Sequence, residues 1–289
     1  MKAWILAARP KTLPAAVVPV WVGCVLGWKL TGTFNPILAF CILLGAMCIQ
    51  VATNLFNDAI DDRKGADTAA RLGPARVTAS GILPRRTVYV GGILFLLAAT
   101  GCGVPLFMER GWVMLVIGVV SFYLAYGYTG GPFPLAYLGL GELFVILFFG
   151  LVAVAGTVFV QSGEWRWEAV VVGLQVGLLS AVLITINNTR DVEEDRRTGK
   201  RTLAVRWGTG AMHTLLALMV HGAMWLTLAG RFYGMRWWFL LSVPLFGFGL
   251  AIVRMVKRSE PGPAYNSYLA MAGLQLLLFA VVFTVAAAI

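Results

Sequence analysis

The sequence predicts an all-α integral membrane protein, a single domain over residues 1–289 that crosses the bilayer nine times. Three observations predict it. Hydrophobic residues make up 59% of the chain and charged ones only 12%, far from the balance of a soluble domain. Apolar stretches long enough to cross a hydrocarbon core recur along the whole length. The positive charges fall in alternate connections, as they do around membrane helices. A soluble bundle would need an amphipathic outer layer, and 23 basic and 13 acidic side chains are too few to supply one.

The opening MKAWILAARPKTLPAAVVPV is not read as a signal peptide, because Arg9 and Lys11 interrupt its apolar run and no small-residue cleavage site closes it. The first span is 13–30. The second, 36–56, contains LAFCILLGAMCIQVAT, where Gln50 is the single polar side chain before the last threonine. The third to sixth are 87–107, 111–127, 135–160 and 168–188, and the last three are 211–230, 236–256 and 266–288. Several contain glycine, which membrane helices tolerate better than soluble ones. No polar segment reaches 40 residues, so no separate soluble domain is expected.

With the N-terminus inside, the connections 1–12, 57–86, 128–134, 189–210 and 254–265 are cytoplasmic and hold 18 of the 23 Lys and Arg. Lys29, Arg110, Arg166, Arg231 and Arg236 lie outside. This positive-inside pattern places the N-terminus and both acidic loops in the cytoplasm and the C-terminus outside, in a multi-pass protein of the cell inner (plasma) membrane. It also explains most of the net charge of +10, so no nucleic-acid partner is expected. Cys24, Cys41, Cys48 and Cys102 lie in apolar spans without CxxC spacing and read as packing residues. His213 and His221 lack a third partner nearby, which argues against zinc or haem.

Eight of the 13 acidic residues sit in or beside two of the cytoplasmic loops. The first set, in NLFNDAIDDRK and just after it, is Asp58, Asp61, Asp62 and Asp67. The second, in INNTRDVEEDRRTGKRTLAVRWG, is Asp191, Glu193, Glu194 and Asp195. If each helix continues for two turns, Asn54, Asn57, Asp58 and Asp61 stack along one face, and so do Asn188, Asp191 and Asp195. Like charges at the carbonyl end of a helix repel unless a cation neutralises them. Hard oxygen ligands without His or Cys suit Mg²⁺ or Mn²⁺. Arg63, Lys64, Arg71, Arg76, Lys200, Arg201 and Arg206 are interleaved with them and suit a phosphate's remaining charge. As surface-loop metal ligands, Asp191 and Asp195 are expected to be removable without loss of folding.

A diphosphate at the mouth of an apolar bundle points to a lipid diphosphate whose tail lies among the helices. Mg²⁺ and basic groups would stabilise the departing diphosphate. An allylic tail would leave a delocalised cation that needs aromatic faces and exclusion of water. Phe122, Tyr123, Tyr126, Tyr128 and Phe133 lie at a plausible depth for that purpose.

These motifs resemble those of the UbiA superfamily of intramembrane prenyltransferases. RPKTLPAAVVPVWVG (9–23), TNLFNDAIDDRKGADTAARLGPARVTASG (53–81), YTGGPFPLAYLGLGELFV (128–145) and NNTRDVEEDRRTGKRTLAVRWG (187–208) are similar to its 1,4-dihydroxy-2-naphthoate branch, which makes precursors of menaquinone or phylloquinone. The last three spans match only as generic apolar helices. The resemblance implies a ring of nine helices around a central cavity, capped by the two Asp-rich cytoplasmic loops. It implies Mg²⁺ on Asn57, Asp61, Asp191 and Asp195, with Asp58 and Asn188 supporting, and a diphosphate met by Arg63, Lys64, Lys200 and Arg201. The third Asp of the family's first motif falls on Gly65 here, with Asp62 or Asp67 as the substitute. The implied reaction joins a polyprenyl group from polyprenyl diphosphate to 1,4-dihydroxy-2-naphthoate. Other acceptors of the superfamily, 4-hydroxybenzoate or homogentisate among them, and a phytyl donor are the alternatives. A cation-coupled transporter is a remote one, since its carboxylates would lie near mid-bilayer.

Two residues stand apart. Glu142 lies seven residues into the fifth span, roughly 10 Å below its start at 1.5 Å per residue, and an ionisable group at that depth is a functional hypothesis. It either works on a hydroxyl of the aromatic acceptor or is a protonated structural group. Lys11 either meets the acceptor's carboxylate or anchors the first span at the interface.

Overall fold

The computed structural model describes residues 1–66 and 72–289, so Asp67 and Arg71 lie outside the described residues. Among the described residues all regular structure is helical. Eight helices among these residues are, by length and composition, long and apolar enough to cross a membrane. The expected fourth span, Trp112–Gly127, has 16 residues. At 1.5 Å per residue it is ~24 Å long, short of a ~30 Å hydrocarbon core. The nine expected spans are therefore eight of crossing length and one shorter helix.

A short α1 (Lys2–Ala8) precedes α2 (Pro14–Thr31). Helix α3 (Pro36–Arg63) starts at Asn35, whose side chain accepts from the Ile37 and Leu38 amides at 3.1 Å, a typical N-cap. It continues unbroken past the bilayer-spanning part, so the first acidic motif is carried on its last turns. Helices α4 (Arg85–Arg110) and α5 (Trp112–Gly127) are joined by Gly111 alone, at φ 71°, where a side chain would be strained.

The fifth span starts later than its hydropathy suggests. Pro132, Pro134 and Gly139 (φ 68°) keep 128–140 in turns, and the helix begins with α6 (Gly141–Val145). It passes through a π-helical turn, Ile146–Val152, into α7 (Ala153–Ser162). Glu142 is thus in the first turn of its helix, not two turns deep. At the π turn Gly150 presses on α8 (Trp167–Arg190): a Cβ there would lie 2.4 Å from the Gly173 carbonyl and 2.6 Å from Gly177 Cα. Small residues replace side-chain interdigitation at this crossing.

Helix α8 stops at Arg190, and Asp191 (φ −93°, ψ 10°) turns the chain into α9 (Val192–Arg197). The second acidic ladder is therefore bent at Asp191 and is not one helical face. Helix α10 (Leu203–Leu226) is capped by Thr202 and kinked at Gly208, φ 79°. A 3₁₀ turn, Thr227–Tyr233, leads to α11 (Trp238–Arg258) and α12 (Tyr265–Ala288).

Helix α2 packs on both α3 and α12, which closes the ring. One half is solid: α2, α7, α8, α10, α11 and α12 share a continuous core through Val22, Val158, Val176, Leu216, Phe246 and Phe279. The other half is hollow. Helices α2 to α7 surround an apolar cavity of about 540 Å³, with Gly45, Gln50, Phe122, Tyr128, Phe144 and Phe148 among its walls.

Candidate active site

Four residues of the first motif share helix α3 but have different partners. Asn54 faces the N-terminal segment, donating to the Ala8 carbonyl at 2.9 Å and to Thr12 Oγ1 at 3.0 Å. Asn57 accepts from the Thr129 hydroxyl. Asp58 is buried and clasps the far end of its own loop: it accepts from the amides of Val77 (3.2 Å) and Thr78 (3.3 Å) and from the Thr78 hydroxyl. Its carboxylate is spent on positioning the 77–78 segment. Asp61, also buried, accepts from Tyr137 Oη at 2.9 Å and from Lys200 Nζ at 2.9 Å. The Lys200 contact joins the two acidic segments at one end of the helical ring.

In the second motif Asn188 donates to Glu142 Oε1 at 2.9 Å. Asp191 is gripped by its neighbour: Arg190 Nε donates to Oδ1 at 2.7 Å and Arg190 Nη2 to Oδ2 at 2.6 Å. Both side chains are buried, at 1% and 7% exposure. Arg190 also donates to Asn187 Oδ1 (2.9 Å) and to Asn266 Oδ1 (2.7 Å), and Asn266 reaches back to the Leu72 carbonyl at 2.9 Å. The expectation that Asp191 is a dispensable surface group is corrected by this pairing. Asp195 is buried too, which corrects the same surface expectation for it, and among the described residues it has no cation paired with it as Arg190 is with Asp191. Burial pushes its carboxyl up to about 7, Asp191, Asp61 and Glu194 push the same way, and only Lys200 opposes them.

Among the described residues no three His, Cys, Asp or Glu side chains already form a metal cage. The donor chemistry nevertheless fits a hard cation: Asp61, Asp191 and Asp195 are buried carboxylates, the first two act unfavourably on the charge of Asp195, and an ammonium, Lys200, already sits on Asp61. Lys64 lies across from Lys200, donating to the Thr129 carbonyl at 2.7 Å. Burial lowers its pKa, Asp61 opposes that, and Lys200 adds to it.

Other expected site residues are placed less centrally. Arg63, Arg201 and Lys11 are exposed, and Arg76 is half-buried. Of the five aromatics proposed for an allylic cation, Phe122 and Tyr128 line the cavity. Tyr123, Tyr126 and Phe133 are exposed, and Tyr126 packs edge-on against Phe56 at 5.9 Å. Tyr126 is thus a wall residue on the outer face of α5. Tyr128 is near Glu142 and Arg9, and burial raises its phenol pKa well above the usual value, with Glu142 adding to the effect. Glu142 is 2% exposed; its Oε1 is held by Asn188, and its Oε2 is buried without a partner.

Sequence reasoning missed Tyr137, Thr129, Arg190 and Asn266. Tyr137 and Thr129 sit in the quoted YTGGPFPLAYLG segment, but their spacing carries no periodic signal. Arg190 was hidden inside a charge run, and Asn266 begins a helix that reads as generic.

A hollow helical ring whose two acidic segments meet near Tyr128, a wall residue of an apolar cavity, defines a multi-pass membrane protein with a joint acidic and apolar site. Residues 16–277 match the UbiA prenyltransferase family, and the chain belongs to it. It is 33% identical over 256 residues to the 1,4-dihydroxy-2-naphthoate octaprenyltransferase of Haemophilus influenzae, covering 85% of this chain and 83% of that one. It is 30% identical over 264 residues to the 2-carboxy-1,4-naphthoquinone phytyltransferase of a Synechocystis strain, covering 91% and 85%. Its fold is similar to that of a UbiA homolog from Archaeoglobus fulgidus bound to DMAPP and Mg²⁺, with TM-score 0.69 at 15% identity over 99% of both chains.

Proposed function

We propose that this chain is the prenyltransferase of menaquinone biosynthesis: it transfers a polyprenyl group from polyprenyl diphosphate to 1,4-dihydroxy-2-naphthoate, with loss of CO₂, giving demethylmenaquinol and diphosphate. The observation that carries the reading is the Lys64–Tyr137–Asp61–Lys200 junction, whose Asp61 acts on Tyr128, a wall residue of the apolar cavity. It supplies cations and carboxylates for a diphosphate beside a space for an isoprenoid tail. The names of the two relatives support the naphthalene acceptor, and they differ in the prenyl group.

In this reading Asn57, Asp61, Asp191 and Asp195 hold Mg²⁺, for which Mn²⁺ substitutes, and the metal supplies charge stabilisation to the departing diphosphate. Lys64 and Lys200 bind the diphosphate's oxygens, with Arg63, Arg76 and Arg201 at the rim. Asp58 supports the site by fixing the 77–78 segment over it. The bond from the allylic carbon to the diphosphate oxygen breaks, and its electron pair leaves with diphosphate. Tyr128, Phe122 and Phe144 present aromatic faces to the allylic cation and exclude water. The electron-rich diol ring attacks the cation, forming the new carbon–carbon bond. The prenyl group replaces the carboxylate overall, which leaves as CO₂ while its bond pair returns to the ring. Glu142, fixed by Asn188, accepts the acceptor's hydroxyl proton into a hydrogen bond at its unpartnered Oε2. Charge placement makes the N-terminus and both acidic segments cytoplasmic in the inner membrane.

Purified protein with Mg²⁺, a panel of acceptors and donors of several lengths tests this by product mass spectrometry. The expected product is the prenylated naphthalene diol. Turnover of 4-hydroxybenzoate or homogentisate in its place would refute the acceptor.

A further inference from the structure

Tyr137 joins the contributions of both acidic motifs. Its hydroxyl donates to Asp61 Oδ1 at 2.9 Å, and its carbonyl accepts from the Arg201 amide at 3.1 Å. Its ring centroid lies 4.0 Å from the Lys64 ammonium and 5.2 Å from that of Lys200. Lys64 follows α3 and Lys200 follows α9, so they are 136 residues apart in the chain and meet over one ring. Two ammonium groups this close repel each other, and each side chain loses rotamer freedom by being held. The negative face of the ring attracts both and offsets that cost.

Among the described residues each ammonium donates to one oxygen: the Thr129 carbonyl for Lys64, and Asp61 Oδ2 for Lys200. Lysine is suited to changing partners, being a compact point charge on a flexible stem, where arginine's fork would fix the geometry.

We propose that Tyr137 is a positioning residue for the donor: its aromatic face holds Lys64 and Lys200 as a pair of cations for the diphosphate, and it keeps Lys200 in place when a divalent cation takes over Asp61. This rests on the diphosphate reading given above. A merely structural tyrosine would affect stability alone; a positioning one governs diphosphate affinity and leaves acceptor affinity untouched.

The test is binding of inorganic diphosphate with Mg²⁺ to full-length protein in detergent, by titration calorimetry, for wild type, Tyr137→Phe and Tyr137→Leu. Wild type binds, and Tyr137→Phe, which keeps the ring, binds within about threefold of it. Tyr137→Leu binds roughly 5- to 30-fold more weakly, the range for two cation–π contacts of solvent-reached ammonium groups, and its KM for the donor rises by a similar factor with KM for the acceptor unchanged. Binding by Tyr137→Leu within about twofold of wild type overturns the proposal, and so does an equal loss in Phe and Leu. If the Leu variant does not fold, Tyr137→Met, of similar reach without a ring, carries the same expectation. A chain that folds with neither has Tyr137 as a structural residue, and the proposal fails. Wild type that does not bind Mg²⁺–diphosphate at all overturns the diphosphate reading, and this proposal with it.

Discussion

Replacing Asp191 by alanine should destabilise the protein before it tells anything about catalysis. The substitution strips both carboxylate oxygens from Arg190, which is 1% exposed and holds them at 2.7 and 2.6 Å. Its remaining acceptors, Asn187 Oδ1 and Asn266 Oδ1, are neutral amides, so a buried guanidinium is left without a counter-charge. Removing one partner of a buried pair costs about 3–5 kcal/mol. At about 2.1 cal/mol/K of unfolding entropy per residue, a chain of 289 residues loses about 5–8 °C of melting temperature for that energy. Asp195→Ala is the control: its carboxylate is already disfavoured by burial and by Asp191 and Asp61, so metal-free protein should melt within about 2 °C of wild type. Thermal unfolding of both variants in detergent with EDTA is the assay. An Asp191→Ala protein that melts with wild type would refute the account of Arg190 as a charge dependent on Asp191.

Four further outcomes follow from the geometry. Asp195 has a folded-state pKa raised from 3.8 to about 7, so its stability contribution is full below the unfolded value and is lost as pH rises through 7; metal-free Asp195→Asn should show a flatter decline of melting temperature between pH 5.5 and 8, and an unchanged slope would contradict the burial of that carboxyl. Glu142→Gln should lower the rate about 10²–10⁴-fold while donor affinity holds, and Glu142→Leu should add a stability cost of about 1–3 kcal/mol by stranding Asn188; a Gln variant that keeps more than a tenth of the rate makes Glu142 structural. Gly150→Leu should fail to reach the folded state, because even its Cβ would lie 2.4 Å from the Gly173 carbonyl; a normal elution profile in size-exclusion chromatography would count against that crossing. Reporters fused after Lys64 and after Lys200 should both report cytoplasm and one at the C-terminus the opposite side, whereas opposite sides for the two loops would remove the shared diphosphate site.

The helices were legible because membrane spans are set by length and apolarity alone, which is why 36–56 and 168–188 fall inside α3 and α8. What hydropathy does not register is local backbone chemistry. Pro132, Pro134 and Gly139 delay the fifth helix to Gly141, and that moves Glu142 from two turns deep to the helix start. Asp61 and Asp195 were legible as a charge excess without a folding reason. The partners that redistribute the roles were not: Asp58 reaches Val77 and Thr78 across its own loop, and Arg190 neighbours Asp191 in sequence without any pattern marking it as buried. Tyr137 shows the limit most plainly, since its importance lies in three contacts with residues 63 or more positions away.

In the proposed reaction a prenyl group replaces the acceptor's carboxylate beside this cavity. Its most direct test is a reaction of purified protein, Mg²⁺, polyprenyl diphosphate and 1,4-dihydroxy-2-naphthoate carrying ¹³C in its carboxylate. Labelled CO₂ and prenylated naphthalene diol are expected in equal amounts, both abolished by EDTA. A prenylated product that keeps its label, or turnover undiminished in EDTA, would contradict the proposed reaction.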